Sequence, residues 1–483
     1  MHVKIDRSWV PEGKNICTSV ARKPFGWDRS SMGSIFICFV DILCIILHNY
    51  TIMISALAQE LNDVLAGTAA GELLSDMGKR LYFPKGIIAQ SGEAKKLGKT
   101  ANATIGMTVI GGTPVTLQSI QDQVPSFSSR ELVAYAPTAG NPDLRAIWKN
   151  AIIKKNPRLE NIPISMPVLV PGLTAGISYL ADLFLDESKG LVASDPSWDN
   201  YVLIASARRN ASFVQFPMFK DGKFNIDALE EKMSEEAKSG SVRVLLNFPQ
   251  NPSGYSPTTD EVKRLVEFIK GLADKGVKVM VWCDDAYFGL AYEKEIERQS
   301  LFAYLADLSP NVLAAKIDGP TKEDFAWGFR CGFITFAGKG MTEEQYDALV
   351  KKLMGTIRSS VSCSSTPPQN ILLKAFQDPK IEEQKAAYFK VLEKRYQIVK
   401  NFVNTHKSDA LYALPFNSGY FMSFHLNSVD AEALRKKLLE EKGIGTIAID
   451  SQTLRIAFSS LDDDKIEMVY SAIYESADEL ARA

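Results

Sequence analysis

The stretch VLAAKIDGPTKEDFAWGFRCG, residues 312–332, decides how the rest of the chain is read. Val312–Ile317 has the mostly apolar make-up of a buried strand, and Gly319-Pro320 ends it. Lys322 follows in the loop, and Arg330 comes eight residues later, between Gly328 and Gly332. A lysine amine at a strand end becomes a nucleophile when burial and nearby cations lower its pKa. An arginine returning to the same end can grip a phosphate with paired N–H groups. Alone, a loop lysine is most often a solvated surface charge, so the other strand ends have to be weighed with it.

Outward from that stretch, strand-like and helix-like segments alternate from about residue 165 to 340. Pro167–Val170 is a short apolar run, followed at helical spacing by Thr174–Phe184. Leu191–Ser194, Val242–Phe248 and Val277–Trp282 are further strand candidates. Thr258-x-x-Glu261 is a capping-box signature opening a helix with Val262, Leu265, Val266, Ile269 and Leu272 on one face. Such alternation implies an α/β fold with a largely parallel sheet flanked by helices. Ligands of these sheets sit at the carboxyl ends of the strands.

The residues at those ends form a set. Gly172, Leu173 and Thr174 open a helix whose free N–H groups can bind phosphate. Trp198, in Asp195–Tyr201, offers a flat face for an aromatic ring. The rigid loop Asn247–Gly254 can aim the Asn251 amide at a ligand oxygen. Asp284 can pair with a protonated ring nitrogen, and Tyr287 can donate to a phenolate oxygen. Each feature has an ordinary structural explanation, such as a turn, a core tryptophan or an acidic strand end. Their joint order matches one cofactor: pyridoxal phosphate needs a lysine for its aldehyde, an acid for its ring nitrogen and a phosphate cup.

Composition bounds the alternatives. The chain has 483 residues, 46% hydrophobic and 23% charged, with a net charge of −2. Nothing in that balance calls for nucleic acid or an anionic membrane as partner. Cys17, Cys38 and Cys44 lie near the N-terminus; Cys283, Cys331 and Cys363 are scattered without metal-ligand spacing. The expectation is a reduced, cytoplasmic protein with no disulfide framework and no metal site. His406 and His425 lack a partner motif for a serine triad or zinc site.

Residues 1–55 differ from the rest, with an apolar run from Ile35 to Leu47 interrupted by Asp41. That run is shorter than the roughly 20 residues that span a bilayer. It reads as a non-native extension, with Met53 as the start, or alternatively as a signal or anchor segment. The expected domains are 56–115, the N-terminal part of a small domain; 116–375, a large cofactor domain; and 376–483, the C-terminal small domain. The last contains a charged helix over Ile381–Thr405, a strand at Gly419–Phe424 and a closing helix around Ile466–Ile473.

These motifs resemble those of the class I/II aminotransferases of the aspartate aminotransferase fold (pyridoxal-phosphate fold type I), nearest the aspartate and aromatic branch. The likeness runs over roughly residues 65–480. Thr321-Lys322 through Gly328-x-Arg330-x-Gly332 is similar to the family's cofactor-attachment signature. Asn251-Pro252-Ser253-Gly254 resembles its Asn-Pro-Thr-Gly loop. Asp284-x-Ala286-Tyr287 resembles its ring-nitrogen motif, and Pro196-Ser197-Trp198-x-Asn200 its ring-stacking segment. Tyr135-x-Pro137-x-x-Gly140 resembles the segment whose Tyr reaches the neighbouring subunit's phosphate, and Leu454–Phe458 the stretch whose Arg, here Arg455, clamps the substrate carboxylate. Gly106 falls where the family closes a loop over the substrate.

The resemblance implies a homodimer with shared active sites that transfers an amino group between an aromatic or acidic L-amino acid and a 2-oxo acid such as 2-oxoglutarate. It implies Lys322 as cofactor lysine, with Asp284 and Tyr287 beside it. Gly172, Leu173, Thr174, Trp198, Asn251, Thr321, Arg330 and Tyr135 would hold cofactor, and Gly106, Trp198, Asn251 and Arg455 substrate. The chain departs from the pattern at Gly319, where a Ser is common, and at Tyr201, which replaces a frequent His. Arg358 is the nearest candidate for a distal-carboxylate arginine, but its spacing to Pro367-Pro368 is long. A β-lyase or decarboxylase on the same fold, and a non-catalytic ligand sensor, remain open. Lys316, the nearest other lysine, is expected to be replaceable without loss of cofactor.

Overall fold

The structure is a computed structural model that describes residues 54–65, 76–80, 87–104, 106–123 and 126–482. The stretch 1–53, with the apolar run and the Met53 start discussed above, lies outside the described residues.

Seven strands make the main sheet: β1 (Val168–Val170), β2 (Leu191–Asp195), β3 (Phe213–Pro217), β4 (Ser241–Asn247), β5 (Lys278–Asp284), β6 (Val312–Asp318) and β7 (Gly332–Ala337). Their order in space is β1-β7-β6-β5-β4-β2-β3. Pairing is parallel from β6 through β5, β4 and β2 to β3. Only β7 runs antiparallel to its neighbours, β6 and β1. Gly319–Cys331, with only a four-residue helix and a short 3-10 turn, joins β6 to β7. A link with no full crossover helix returns the chain antiparallel.

The inner strands β4 to β7 are buried on both faces, which is why their centres read as apolar runs, whereas edge strand β3 is largely half-buried or exposed. The predicted capping box is present: Thr258 Oγ1 accepts from Glu261 N at 3.3 Å, and Glu261 Oε2 accepts from Thr258 N at 2.7 Å. It starts the helix Thr259–Asp274, which buries Val262, Leu265, Ile269 and Leu272; Val266 is only half-buried. Register aligns Asp284 with Asn247 on β4 and Ile317 on β6, so the carboxyl ends of the central strands finish level.

A second, antiparallel sheet holds β8 (Leu411–Ala413), β9 (Phe421–Leu426), β10 (Ile447–Ala448) and β11 (Thr453–Ala457), in the order β8-β9-β11-β10. The expected strand at Gly419–Phe424 begins two residues later. Gly419 sits at φ 72° and donates to Leu290 O at 2.7 Å, so it turns the chain before pairing starts. The helix Ile381–Thr405 has the predicted bounds, and the closing helix extends over Ile466–Arg482. An N-terminal helix, Ile87–Leu97, joins this sheet: Gln90 Nε2 donates to Ala448 O at 2.9 Å, and Ala448 N donates to Gln90 Oε1 at 2.8 Å. Ala101–Asn102 pairs in parallel with Ile444–Gly445.

Candidate active site

At the carboxyl ends of β4, β5 and β6 lies a cavity of about 420 Å³. Lys322, Asp284, Tyr287, Asn251, Arg330 and Arg455 line it, as do Leu173, Thr174, Trp198, Thr321 and Gly106. Segments separated by more than 300 residues in sequence thus converge on one volume.

Lys322 stands on the helical turn Pro320–Glu323 that follows β6. Its Nζ is 4.7 Å from the centre of the Tyr287 ring. Burial pushes the ammonium down to about 8; Asp284 opposes this and Arg330 assists it. Asp284 ends β5 and is 3% exposed. Burial raises its pKa, while the Tyr201 hydroxyl, donating to Oδ2, and the Lys322 charge work against that rise. Ala286 N donates to its other oxygen at 3.1 Å. A buried carboxylate under such pressure strongly favours a cationic N–H partner.

Arg330 holds a left-handed φ of 52° and donates through Nη1 to Trp327 O at 3.2 Å. Its guanidinium lies against Gly172 (φ 92°): a Cβ there would stand 2.4 Å from Arg330 Nη2. Gly172 therefore opens the helix Leu173–Phe184 with its N-terminal N–H groups beside the guanidinium, a cup for an anion. Thr321 is buried and donates to Cys331 O at 3.3 Å.

On the opposite wall, Arg455 comes from β11 and is 2% exposed. Nη1 donates to Asn251 Oδ1 at 2.9 Å and Nη2 to Thr104 O at 3.0 Å, while Nε has no partner. The guanidinium lies 4.3 Å above the Phe421 ring. Burial lowers its pKa to about 10, with Tyr287 and Asp199 opposing. Burial likewise pushes the Tyr287 phenol up. Gly106 packs so closely that a Cβ would meet Phe421 Cζ at 2.8 Å.

Two sequence candidates lie apart. Tyr135 is 94% exposed and lines a separate surface hollow with Pro137, Asn141 and Gln369. Arg358 is exposed on the helix Glu343–Ser360 and donates to Ser362 Oγ at 2.7 Å, away from the cavity. Sequence reading missed Ser91, Thr104, Asn247 and Phe421 as lining residues, and the bond from Tyr201 to Asp284. Tyr201 stands one turn beyond Trp198: its N–H donates to Trp198 O at 3.0 Å, and the two rings meet edge to face at 5.4 Å.

Lys316 is no neutral control. It is 1% exposed and paired with Asp285, with Asp318 at 3.4 Å. Its substitution breaks a buried ion cluster whatever happens to the cofactor. Among the described residues, no group of three or more His, Cys, Asp or Glu could hold a metal ion, and no helix is long and apolar enough to cross a membrane.

The model of the family described as "Aminotransferase class I and II" matches residues 108–473. The chain belongs to that family. This aminotransferase is 22% identical over 363 residues to an aspartate aminotransferase of Sulfurisphaera tokodaii, covering 72% of the chain and 84% of that relative. It is 23% identical to an aspartate aminotransferase of a Bacillus species over 82% of the chain and 98% of the relative. Among solved structures, an aminotransferase from Anaerococcus prevotii superposes with a TM-score of 0.75 at 23% identity, covering 84% of this chain and 99% of the other. The kynurenine aminotransferase of Pyrococcus horikoshii gives 0.70 at 17% identity, covering 86% and 99%. These structural likenesses bear out the fold expected from the strand–helix alternation.

The aminotransferases of this family use pyridoxal phosphate. The cavity fits that group on its own chemistry. It offers an amine of lowered pKa, a buried carboxylate seeking an N–H partner, and an anion cup that a Cβ at residue 172 would fill.

Proposed function

We propose that this aminotransferase moves an amino group between an aromatic or acidic L-amino acid and a 2-oxo acid such as 2-oxoglutarate, in two half-reactions at one site. The observation that carries the reading is the convergence of Lys322, Asp284 and Arg455 on a single cavity. When bound, pyridoxal phosphate supplies an aldehyde for the substrate amine and a ring that withdraws electrons from the Cα–H bond. Lys322 is the cofactor lysine, and its freed amine takes the proton from the substrate Cα and later returns it. A pKa of about 8 keeps a useful fraction neutral for that task.

Asp284, held by Tyr201, would keep the ring nitrogen charged, and Tyr287 and Asn251 would donate to the ring oxygen. Gly172, Leu173, Thr174, Thr321 and Arg330 would hold the phosphate, and Trp198 would stack on the ring. Arg455 holds the substrate α-carboxylate: Asn251 and Thr104 anchor its two Nη groups, and its Nε has no partner within the protein. Gly106 leaves room for substrate beside Phe421. Tyr135, turned outward, is assigned to the site of a second copy in a homodimer, which its exposure supports. The proposed domains are 56–115 with 376–483 around the smaller sheet, and 116–375 around the larger. Free Cys283, Cys331 and Cys363 accord with the cytoplasm as its compartment.

The deciding experiment is the absorbance spectrum of the purified protein, before and after borohydride reduction, beside Lys322→Ala. Unreduced protein is expected to show a visible band that amino donors bleach; borohydride should also bleach it, leaving the cofactor bound covalently at Lys322, and Lys322→Ala should trap none. A colourless protein that cannot be loaded with pyridoxal phosphate would overturn the reading.

A further inference from the structure

Lys322 rides on a helix of four residues, too short to hold itself through its own hydrogen bonds. Downstream, Phe325 and Arg330 are non-glycine residues in the left-handed region, at φ 54° and 52°. Such conformations persist only where the surroundings over-determine them. The turn that presents the amine must therefore be fixed from outside.

The two residues after Lys322 show how. Glu323 and Asp324 are adjacent acids, and Asp324 is 1% exposed. Neighbouring buried carboxylates are costly unless paired. Lys155 Nζ lies 2.6 Å from Glu323 Oε1. Lys385 Nζ lies 2.9 Å from Asp324 Oδ1 and 3.7 Å from Glu323 Oε1. Neither Asp324 oxygen has an aligned hydrogen-bond donor, so the Lys385 charge is what balances it. Burial works against both acids; Lys155 and Lys385 nonetheless hold Glu323 down at about 2, whereas Asp324 stays raised. The other acid near Lys385 is Glu382, on its own helix at 3.8 Å.

The two ammonium groups come from different parts of the molecule. Lys155 ends the helix Pro142–Lys155, whose Trp148 stacks on Phe333 of the main sheet. Lys385 belongs to the helix Ile381–Thr405, which packs on the closing helix. From the same side, the Tyr420 hydroxyl donates to Lys322 O at 2.9 Å. Neither Lys155 nor Lys385 lines the cavity.

We propose that Lys385 is a positioning residue for Lys322: through Asp324 and Glu323 it ties the amine-bearing turn to the helix Ile381–Thr405. The proposal rests on Lys322 being the cofactor lysine. That helix then sets where the amine stands, although no atom of Lys385 reaches the reacting centre.

The test uses the full-length, cofactor-loaded protein and the variants Lys385→Met, Lys385→Arg, Asp324→Asn and the Lys385→Met/Asp324→Asn pair. Three quantities are read: the pH midpoint of the visible band, the rate of the half-reaction at saturating amino acid, and the thermal midpoint. Lys385→Met is expected to move the band's midpoint and slow the half-reaction about tenfold or more, as small misplacements of a reacting group do. Lys385→Arg should restore both to within about threefold, and the paired variant should be no slower than Lys385→Met alone. If Lys385→Met and Asp324→Asn leave the band and the half-reaction at wild-type values, the positioning role is refuted, whatever the thermal midpoint does. Should Lys385→Met fail to fold, the near-isosteric Asp324→Asn decides by the same readings. Lys322→Ala separates the two levels. A retained, reducible band there sinks the cofactor reading itself, whereas a lost band beside an unaltered Lys385→Met sinks only the positioning role.

Discussion

The lowered pKa of Lys322 can be measured without any turnover. Moving the ammonium from its ordinary value of 10.5 to about 8 disfavours the charged form by about 3 kcal/mol. At pH 7.5 about a quarter of the amines would be neutral, against about one in a thousand for an unperturbed lysine. Cofactor-free protein mixed with pyridoxal, which lacks the phosphate, should therefore develop its visible band with a rate that climbs to a plateau about a midpoint of 8. The signs of two variants follow from the neighbours. Arg330→Met removes a cation that depresses the pKa, so its midpoint rises; Asp284→Asn removes an anion that raises it, so its midpoint falls. Pyridoxal is the right probe because loss of a phosphate contact at Arg330 then cannot mask the effect. Stability carries the same signature. Because the folded pKa lies below the unfolded one, the cost of charging Lys322 is present in full below about pH 8. It is relieved as the pH rises towards 10.5. A stopped-flow midpoint above about 9.5, close to an ordinary lysine, would refute the reasoning.

Three further outcomes are expected. Tyr201→Phe removes the hydroxyl that donates to Asp284. Pyridoxal phosphate affinity should fall about 10- to 100-fold, the worth of a hydrogen bond to a buried charge, and a change under twofold in a spectroscopic titration would count against it. On the proposed assignment of Arg455 to the substrate carboxylate, Arg455→Met should raise KM for the amino acid by about 100-fold while leaving the cofactor band in place. An unchanged KM would remove Arg455 from the carboxylate site. Lys316→Met leaves Asp285 and Asp318 buried without their cation, and urea denaturation should show a loss of about 3–5 kcal/mol. A stability within about 1 kcal/mol of wild type would contradict the charge balance drawn for that cluster.

Most of the main sheet was legible because buried parallel strands leave continuous apolar runs, and loops at their ends carry the polar chemistry. Lys322, Asp284, Asn251 and Trp198 were found that way. Strand β7 escaped notice because Gly332–Ala337 follows the Arg330 turn directly, with no helix to mark a new unit. Tyr201 and Phe421 escaped for a different reason. Each is an aromatic residue in an apolar setting, and only tertiary packing reveals which polar group or ring it touches. The ion cluster around Lys316 was not legible because a lysine in a strand pattern gives no hint of acids on neighbouring segments. Its partner Asp285 follows β5, and Asp318 lies two residues on along β6. The acidic pair after Lys322 was likewise opaque, since Lys155 and Lys385 are about 170 and 60 residues away in sequence.

The clamp between Gln90 and Ala448 joins residues 358 positions apart, and Ala101 pairs with Ile444 beside it. The smaller sheet is thus joined by a helix from early in the chain, with a separate two-stranded pairing beside it. On a ribosome, the helix Ile87–Leu97 emerges long before the strand that it caps exists. Its edge must wait, unpaired, until nearly all of the polypeptide has been made. Contacts of such span close slowly, so this seam should form late, after the strand it meets has been made.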